Sequence, residues 1–203
     1  MKPCRILLAC LLASLCFLSD GALAQKKGKI TEFSNGITAG AIPFGITAGP
    51  DGNLWFTEGG GNRIGKITPA GVVTEYSSGI SVGAAPWLIT AGSDGNLWFT
   101  EQAGRIGKIT TAGVVTEYSN GITASAQPAG ITAGPDGNVW FTEEGSGSHT
   151  IGKITPAGVV TEYSRRITTD ANPAGITAGP DGNVWFTERD SDRIARIRLR
   201  RQK

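Results

Sequence analysis

One thirteen-residue segment, ITAGPDGNLWFTE at residues 46–58, constrains the fold most strongly, because close copies of it recur at 89–101, 131–143 and 176–188. The copies begin 42 to 45 residues apart. A fixed period of this length is typical of solenoids, propellers and other arrays of repeated units. The sequence therefore predicts four repeats of about 43 residues each.

Each repeat is predicted to contain four short strands, at 45–48, 53–58, 63–68 and 72–77 in the first copy. These runs are rich in β-branched and aromatic residues, and the turn sequences PDGN and PAG lie between them. Four antiparallel strands in a repeat of this length form the blade of a β-propeller. We therefore predict an all-β fold, a β-propeller of four four-stranded blades. One tryptophan per repeat is predicted to lie in the core between blades: Trp55, Trp98, Trp140 and Trp185.

The two ends of the repeat array predict how the ring closes. Residues 30–34 (ITEFS) have the pattern of a fourth strand without the three strands that should precede it, and residues 193–197 (RIARI) have the pattern of a third strand without a fourth. The N-terminal strand is therefore predicted to complete the C-terminal blade, which closes the ring and removes two exposed strand edges. Two alternatives are an open arc and the assembly of two chains into a larger ring.

Residues 1–24 have the pattern of a secretory signal peptide, with Lys2 and Arg5 before an apolar run and a small-residue cleavage site before Gln25. The protein is therefore expected to be periplasmic or secreted, with a single propeller domain at 25–203. The apolar run is too short for a membrane span. All three cysteines fall within this segment, so no disulfide is expected in the propeller. The net charge of +2 gives no indication of nucleic-acid binding.

The motif PxGITxGPDGNLWFTE followed by NRIGKITxxG resembles the repeat of the virginiamycin B lyase family, the streptogramin lyases, and more distantly that of NHL-repeat propellers. The resemblance covers essentially all of 25–203. It implies a carbon–oxygen lyase that confers antibiotic resistance by opening the ester of a cyclic streptogramin. It also implies Mg²⁺ as a cofactor and histidines after the proline of the first strand. Full-length members carry seven blades, so this chain is expected to be a short, four-repeat member.

The chain departs from the family pattern at the positions expected for catalysis. The residues after the proline are Phe44, Trp87, Ala129 and Ala174, and none of them is a histidine. The single histidine, His149, lies in a longer Gly/Ser loop, which is a poor support for a general base. The family glutamate at the end of the WFxx segment is matched by Glu58, Glu101, Glu143 and Glu188, of which Glu188 is the candidate for a catalytic role.

The glutamates and the post-proline residues are expected at one mouth of the central channel, because the first two strands of a blade form an antiparallel hairpin. Two interpretations of Glu58, Glu101, Glu143 and Glu188 remain: a ligand or metal site for Mg²⁺ or Ca²⁺, or a structural cap in each blade. Phe44 and Trp87 are either a surface for an apolar or sugar-like ligand or a part of the core.

Two functions are therefore compatible with the sequence. The first is an exported lyase that acts on cyclic esters and is weak or inactive because the histidines are missing. The second is a non-catalytic propeller that binds a small molecule, a glycan or a protein. A small-molecule or glycan ligand is expected at the channel mouth, and self-association is expected if the ring is open.

Overall fold

The computed structural model describes residues 28–145 and 149–199. Contacts divide the chain into two units, Met1–Glu32 and Phe33–Lys203. In the first unit, the described residues 28–32 contain no helix or strand. The signal peptide predicted at 1–24 lies outside the described residues. The second unit contains the propeller repeats.

The second unit consists of antiparallel sheets, one for each repeat. Blade one contains β1 (Pro43–Ala48), β2 (Leu54–Glu58), β3 (Arg63–Ile67) and β4 (Val73–Tyr76). Blade two contains β5 (Pro86–Ala91), β6 (Leu97–Glu101), β7 (Arg105–Ile109) and β8 (Val115–Tyr118). Blade three contains β9 (Gln127–Ala133), β10 (Val139–Glu144), β11 (Thr150–Ile154) and β12 (Val160–Tyr163). Blade four contains β13 (Pro173–Ala178), β14 (Val184–Glu188), a 3₁₀ turn (Arg189–Ser191) and β15 (Arg193–Ile197).

In the described residues, blade four has no fourth strand. Residues 28–34 carry no regular secondary structure, and within 149–199 the sheet of blade four has the three strands β13, β14 and β15. Successive first strands contact each other from β1 to β5, β9 and β13, whereas the described parts of β13 and β1 make no equivalent contact. Closure of the ring is therefore not observed, and the closing role of 30–34 stays a prediction.

The turn between the first two strands of each blade is fixed by an aspartate. In blade one, Asp51 Oδ1 accepts hydrogen bonds from the backbone N–H of Asn53 at 3.3 Å and from the indole N–H of Trp55 at 3.0 Å. Gly52 adopts a φ of 76°, a conformation that glycine reaches without steric cost. The PDGN turn thus positions the tryptophan that follows it.

The first strands of blades one and two approach closely at Gly45, the glycine of PxGIT in blade one. A Cβ atom added to Gly45 would lie 2.9 Å from both Leu88 Cα and the carbonyl oxygen of Trp87. Only a residue without a side chain allows this separation between β1 and β5. Gly45 therefore allows β1 and β5 to lie side by side, together with the post-proline residues that they carry.

The core lies between successive blades. Trp55 and Ile64 of blade one pack with Ile89 and Leu97 of blade two, and equivalent clusters join blade two to three and three to four. The predicted core position of the tryptophans is confirmed for the first three, which are at most 1% exposed. Trp185 is only partly buried, because it lies on the side of blade four that no described blade covers. Within 28–145 and 149–199 there is no helix with the length and apolarity to cross a membrane.

Candidate functional site at the blade rim

The proline of each first strand and the glutamate of each second strand are paired across the hairpin. The pairs are Pro43 with Glu58, Pro86 with Glu101, Pro128 with Glu143, and Pro173 with Glu188. The predicted common rim is therefore observed in every blade. The strand register shifts just after each proline, at a β-bulge or similar irregularity, and bulges redirect side chains at the ends of strands.

Two aromatic rings stack at this rim. The centroids of Phe44 and Trp87 lie 3.5 Å apart with an angle of 20° between the ring planes. Phe44 is 50% exposed and Trp87 is partly buried. At the same position in blades three and four, Ala129 is buried and Ala174 is partly exposed. The rim thus presents an aromatic surface on one side only, and its role in ligand binding stays a prediction.

The residue before the proline is held in a left-handed backbone conformation at three places on the rim. The φ angles are 50° at Ile42, 52° at Ala85 and 49° at Asn172. A positive φ is unfavourable for a β-branched residue such as isoleucine, and such strain often marks binding or catalytic sites. The strain at Ile42 lies two residues from Phe44.

The four glutamates are buried behind the rim, with at most 3% of each exposed. In blade one, Arg63 Nε lies 2.9 Å from Glu58 Oε2 and 3.4 Å from Glu75 Oε2. Burial raises the pKa of Glu58 above its ordinary value, although the hydrogen bond from Arg63 opposes this. One guanidinium therefore joins two carboxylates that come from the second and fourth strands of the blade.

The corresponding contacts in blade two are longer. Arg105 lies 3.9 Å from the carboxylate of Glu101 and 3.9 Å from that of Glu117. Burial, together with the negative charge and hydrogen bond of Glu117, raises the pKa of Glu101 to about 8. Glu101 is consequently protonated over most of the neutral range.

Blade three replaces this arginine with Thr150. Burial and the adjacent Glu162 raise the pKa of Glu143 to about 9. Glu143, Glu162 and His149 line a cavity of about 320 Å³. The structure therefore brings the single histidine of the sequence to the rim, which the sequence analysis did not anticipate because the other repeats contain no equivalent of the inserted loop.

The metal role considered for the four rim glutamates stays a prediction. Glu58 is paired with Arg63 at 2.9 Å. In the described part of the chain, no group of three or more His, Cys, Asp or Glu side chains has the arrangement to hold a metal ion. The catalytic role considered for Glu188 is not tested by these contacts.

Sequence analysis missed the second carboxylate of blades one to three. Glu75 accepts hydrogen bonds from the N–H and hydroxyl of Thr38, both at 2.6 Å. Glu117 and Glu162 accept the equivalent bonds from Ser81 and Thr123. Each outer-strand glutamate thus holds the segment that leads into its own blade. The signal for this role was the recurrence of VVTEY in step with WFTE.

A larger cavity, of about 650 Å³, lies at the opposite rim between blades three and four. Its lining includes Trp140, Lys153 and Tyr163. The ammonium group of Lys153 lies 5.7 Å from the Trp140 ring centre and 5.8 Å from that of Tyr163, so a cation of the chain itself already occupies the aromatic surface.

Comparison with known proteins agrees with this architecture. The model of the virginiamycin B lyase family matches residues 21–202. The chain belongs to the virginiamycin B lyase family. A comparison with curated protein sequences gives no match.

Two solved lyases of this family share the fold closely. A catalytically inactive histidine-to-alanine variant of virginiamycin B lyase from Staphylococcus aureus, with quinupristin, is 44% identical with a TM-score of 0.78. The match covers 85% of this chain and 57% of that one. A streptogramin B lyase is 40% identical with a TM-score of 0.74, over 87% of this chain and 61% of that one.

A gluconolactonase from Xanthomonas campestris, at 18% identity and a TM-score of 0.58 over 72% of this chain and 56% of its own, shares the fold alone. For the two lyases, the match shows that this chain spans about three fifths of their length.

Proposed function

We propose that this protein is an exported propeller of the virginiamycin B lyase family that binds an apolar or sugar-like ligand on the Phe44–Trp87 pair. The observation that supports the proposal is the stack of two partly exposed rings at 3.5 Å on a bulged, strained rim. Exposed aromatic rings bind apolar molecules and the apolar faces of sugars. These rings occupy the positions where the family pattern has histidine.

The geometry supports binding better than catalysis. A general base must reach the substrate within hydrogen-bond distance and have a suitable pKa. Glu101 and Glu143 have raised pKa values but are at most 1% exposed. The related lyase from Staphylococcus aureus is inactive when one histidine is replaced by alanine. We accordingly expect residual lyase activity at most.

One titration separates the two functions. Quinupristin and a neutral oligosaccharide are titrated separately into the parent chain, and tryptophan fluorescence reports binding. We expect Phe44→Ala and Trp87→Ala to weaken binding at least about tenfold, which is the loss of about 1.4 kcal/mol. The control Val82→Ala, which truncates a fully exposed apolar side chain away from the aromatic pair, should bind like the parent.

Mass spectrometry of the same quinupristin samples, with and without Mg²⁺, reports catalysis. Unchanged quinupristin is the expected outcome, and a linear product that accumulates in proportion to protein concentration would establish the lyase function instead. Equal binding by all four chains would contradict the aromatic site.

We further propose that residues 30–34 supply a fourth strand for blade four, which has three strands in the described residues. The sequence TEFS at 31–34 matches TEYS at 74–77, where the segment forms part of β4. We also propose that the protein is exported, because residues 1–24 have the pattern of a signal peptide.

A further inference from the structure

The first and last blades expose faces that are buried between the other blades. Ile46 and Leu54 of blade one are 64% and 42% exposed, whereas their equivalents Ile89 and Leu97 in blade two are 7% and 0% exposed. At the other end, Ile194 of blade four is 72% exposed, and its equivalents Ile64, Ile106 and Ile151 are fully buried. We call these surfaces the blade-one face (Ile46, Leu54) and the blade-four face (Thr187, Ile194).

The three internal interfaces show what covers each face. Trp55 and Ile64 of blade one pack against Ile89 and Leu97 of blade two, and the two following interfaces repeat this arrangement. On the blade-four face, Ile194 is the equivalent of Ile64. On the blade-one face, Ile46 and Leu54 are the equivalents of Ile89 and Leu97. The two exposed faces are thus complementary halves of a fourth interface of the same kind.

A threonine adds a polar contact to each internal interface. The hydroxyl of Thr57 donates to the carbonyl oxygen of Trp87 in the next blade at 2.6 Å, and Thr100 and Thr142 donate to Ala129 and Ala174. Thr187 on the blade-four face accepts the N–H of Gly175 at 2.9 Å but has no equivalent acceptor within 28–145 and 149–199. In the repeat, the equivalent acceptor is the carbonyl oxygen of Phe44, in a first blade that would lie against blade four.

In the described residues, blade four lacks the fourth-strand glutamate that blades one to three carry. In blades one to three, a glutamate of the fourth strand binds the threonine or serine that leads into the blade. In blade four, Thr168 occupies that position, and its hydroxyl instead accepts a hydrogen bond from Arg193. Glu188 Oε2 is buried and has no hydrogen-bond partner in the described residues. The glutamate that matches Glu75 in the repeat is Glu32.

The position of Phe33 shows which side of blade one this strand occupies. The Phe33 ring lies against Gly71 of blade one, as Tyr76 lies against Gly113 of blade two and Tyr118 against Gly158 of blade three. Tyr76 and Tyr118 belong to the outer strand of the preceding blade. Phe33 therefore takes the place of an outer-strand aromatic residue from a blade that precedes blade one.

We propose that this preceding blade is blade four of a second copy of the chain, so that two copies close one ring of eight blades. The inference rests on the fourth strand proposed for 30–34 and assigns it to the partner's blade four. Seven blades are rotated by about 51° each and eight by about 45°, whereas four in a ring need about 90°. The TM-score of 0.78 to a longer lyase shows that this arc keeps a curvature close to that of the larger ring. The symmetric pair satisfies both exposed faces of each copy.

Sedimentation velocity over a range of protein concentrations tests this pairing. The parent should sediment as two chains, and Ile194→Asp should weaken the association about a hundredfold or more, because a charge replaces an apolar side chain at the centre of the interface. Ile194 is exposed in the single chain, so this substitution should leave its fold intact. The control Val82→Asp places the same charge at a fully exposed position outside both faces and should remain a dimer.

Disulfide cross-linking tests the same contact independently of affinity. Gly65, Gly107 and Gly152 pair with the outer-strand glutamates, so position 195 should pair with position 32. Chains carrying Glu32→Cys alone and Ala195→Cys alone, with Cys4, Cys10 and Cys16 replaced by serine, are mixed and oxidised. A disulfide between the two chains is the expected result.

The other outcomes overturn the proposal in distinguishable ways. A disulfide that forms only when both cysteines are in one chain, with a monomeric mass, indicates a closed four-blade ring and preserves the fourth strand. If no disulfide forms in either experiment, the proposal that residues 30–34 form the fourth strand of blade four is also wrong. A mass that grows beyond two chains indicates an open filament.

Discussion

The hydroxyl of Thr142 on β10 donates a hydrogen bond to the carbonyl oxygen of Ala174 on β13 at 2.9 Å and so joins blade three to blade four. The same hydroxyl accepts the N–H of Gly130 at 2.8 Å. The threonine of WFTE is therefore more than a strand residue, because in blades one to three it couples the blade to the post-proline position of the next. That position is the one that carries Phe44 and Trp87 at the rim.

Replacement of this threonine by valine should destabilise the protein. Thr142→Val keeps the shape of the side chain but leaves a buried N–H and a carbonyl oxygen without their partner, which costs about 1–3 kcal/mol. Urea unfolding followed by tryptophan fluorescence measures the change. Thr116→Val is the matched control, because Thr116 is exposed on β8, and it should change the free energy of unfolding by less than about 0.5 kcal/mol. Equal effects of the two substitutions would show that the blade-to-blade bond contributes nothing.

The same glutamate-to-glutamine substitution should have opposite effects in blades one and three. Glu58→Gln removes a carboxylate that lies 2.9 Å from Arg63 and should cost about 1–3 kcal/mol at pH 7. Glu143→Gln replaces a carboxyl whose pKa is raised to about 9 by burial and by Glu162, and should stabilise the protein at pH 8 by about 1 kcal/mol or more. Chemical unfolding of the two variants beside the parent measures both signs. A loss of stability in both variants would contradict the expected difference between Glu58 and Glu143.

The pH dependence of stability follows from the same residue. The pKa of Glu143 in the folded chain lies above its ordinary value of 4.5. The stability that Glu143 contributes is therefore fully present below about pH 4.5 and is lost as the pH rises to about 9. The parent should therefore lose stability relative to Glu143→Gln between pH 5 and pH 9. Melting temperatures of both chains across this range should diverge steadily with increasing pH, and parallel curves would contradict the raised pKa.

The strands and the rim were predictable from the sequence because local signals fix both. Strands predicted at 53–58 and 72–77 are observed at Leu54–Glu58 and Val73–Tyr76, since the turn sequences determine where each strand begins and ends. The shared rim of Pro43 and Glu58 followed from the antiparallel hairpin alone. Family membership was also predicted from the repeat motif and is confirmed by the match over 21–202.

The side-chain clusters and the shape of the ring were not predictable in the same way. The junction of Glu58, Arg63 and Glu75 depends on three strands whose register no single motif specifies. In blade three, one substitution, Thr150 in place of arginine, changes the ionisation of Glu143 without changing the strand pattern. The period gives the number of repeats, whereas the rotation between blades depends on how their side chains pack, so closure of the ring could not be derived from it.

The glycine of RIGKI should be essential in blade two. A Cβ added to Gly107 would lie 2.1 Å from the ring of Phe99, its cross-strand neighbour, and β7 is fixed between β6 and β8. Blade four instead carries Ala195 opposite Phe186, so its sheet accommodates a methyl group at this position. Gly107→Ala should therefore cost about 2–3 kcal/mol. In a thermal melt of a domain of this size, that loss lowers the Tm by roughly 5–10 °C. Ala195→Gly is the reciprocal control and should cost no more than about 1 kcal/mol. A Gly107→Ala protein that melts with the parent would mean that the Phe99 ring can move aside in blade two.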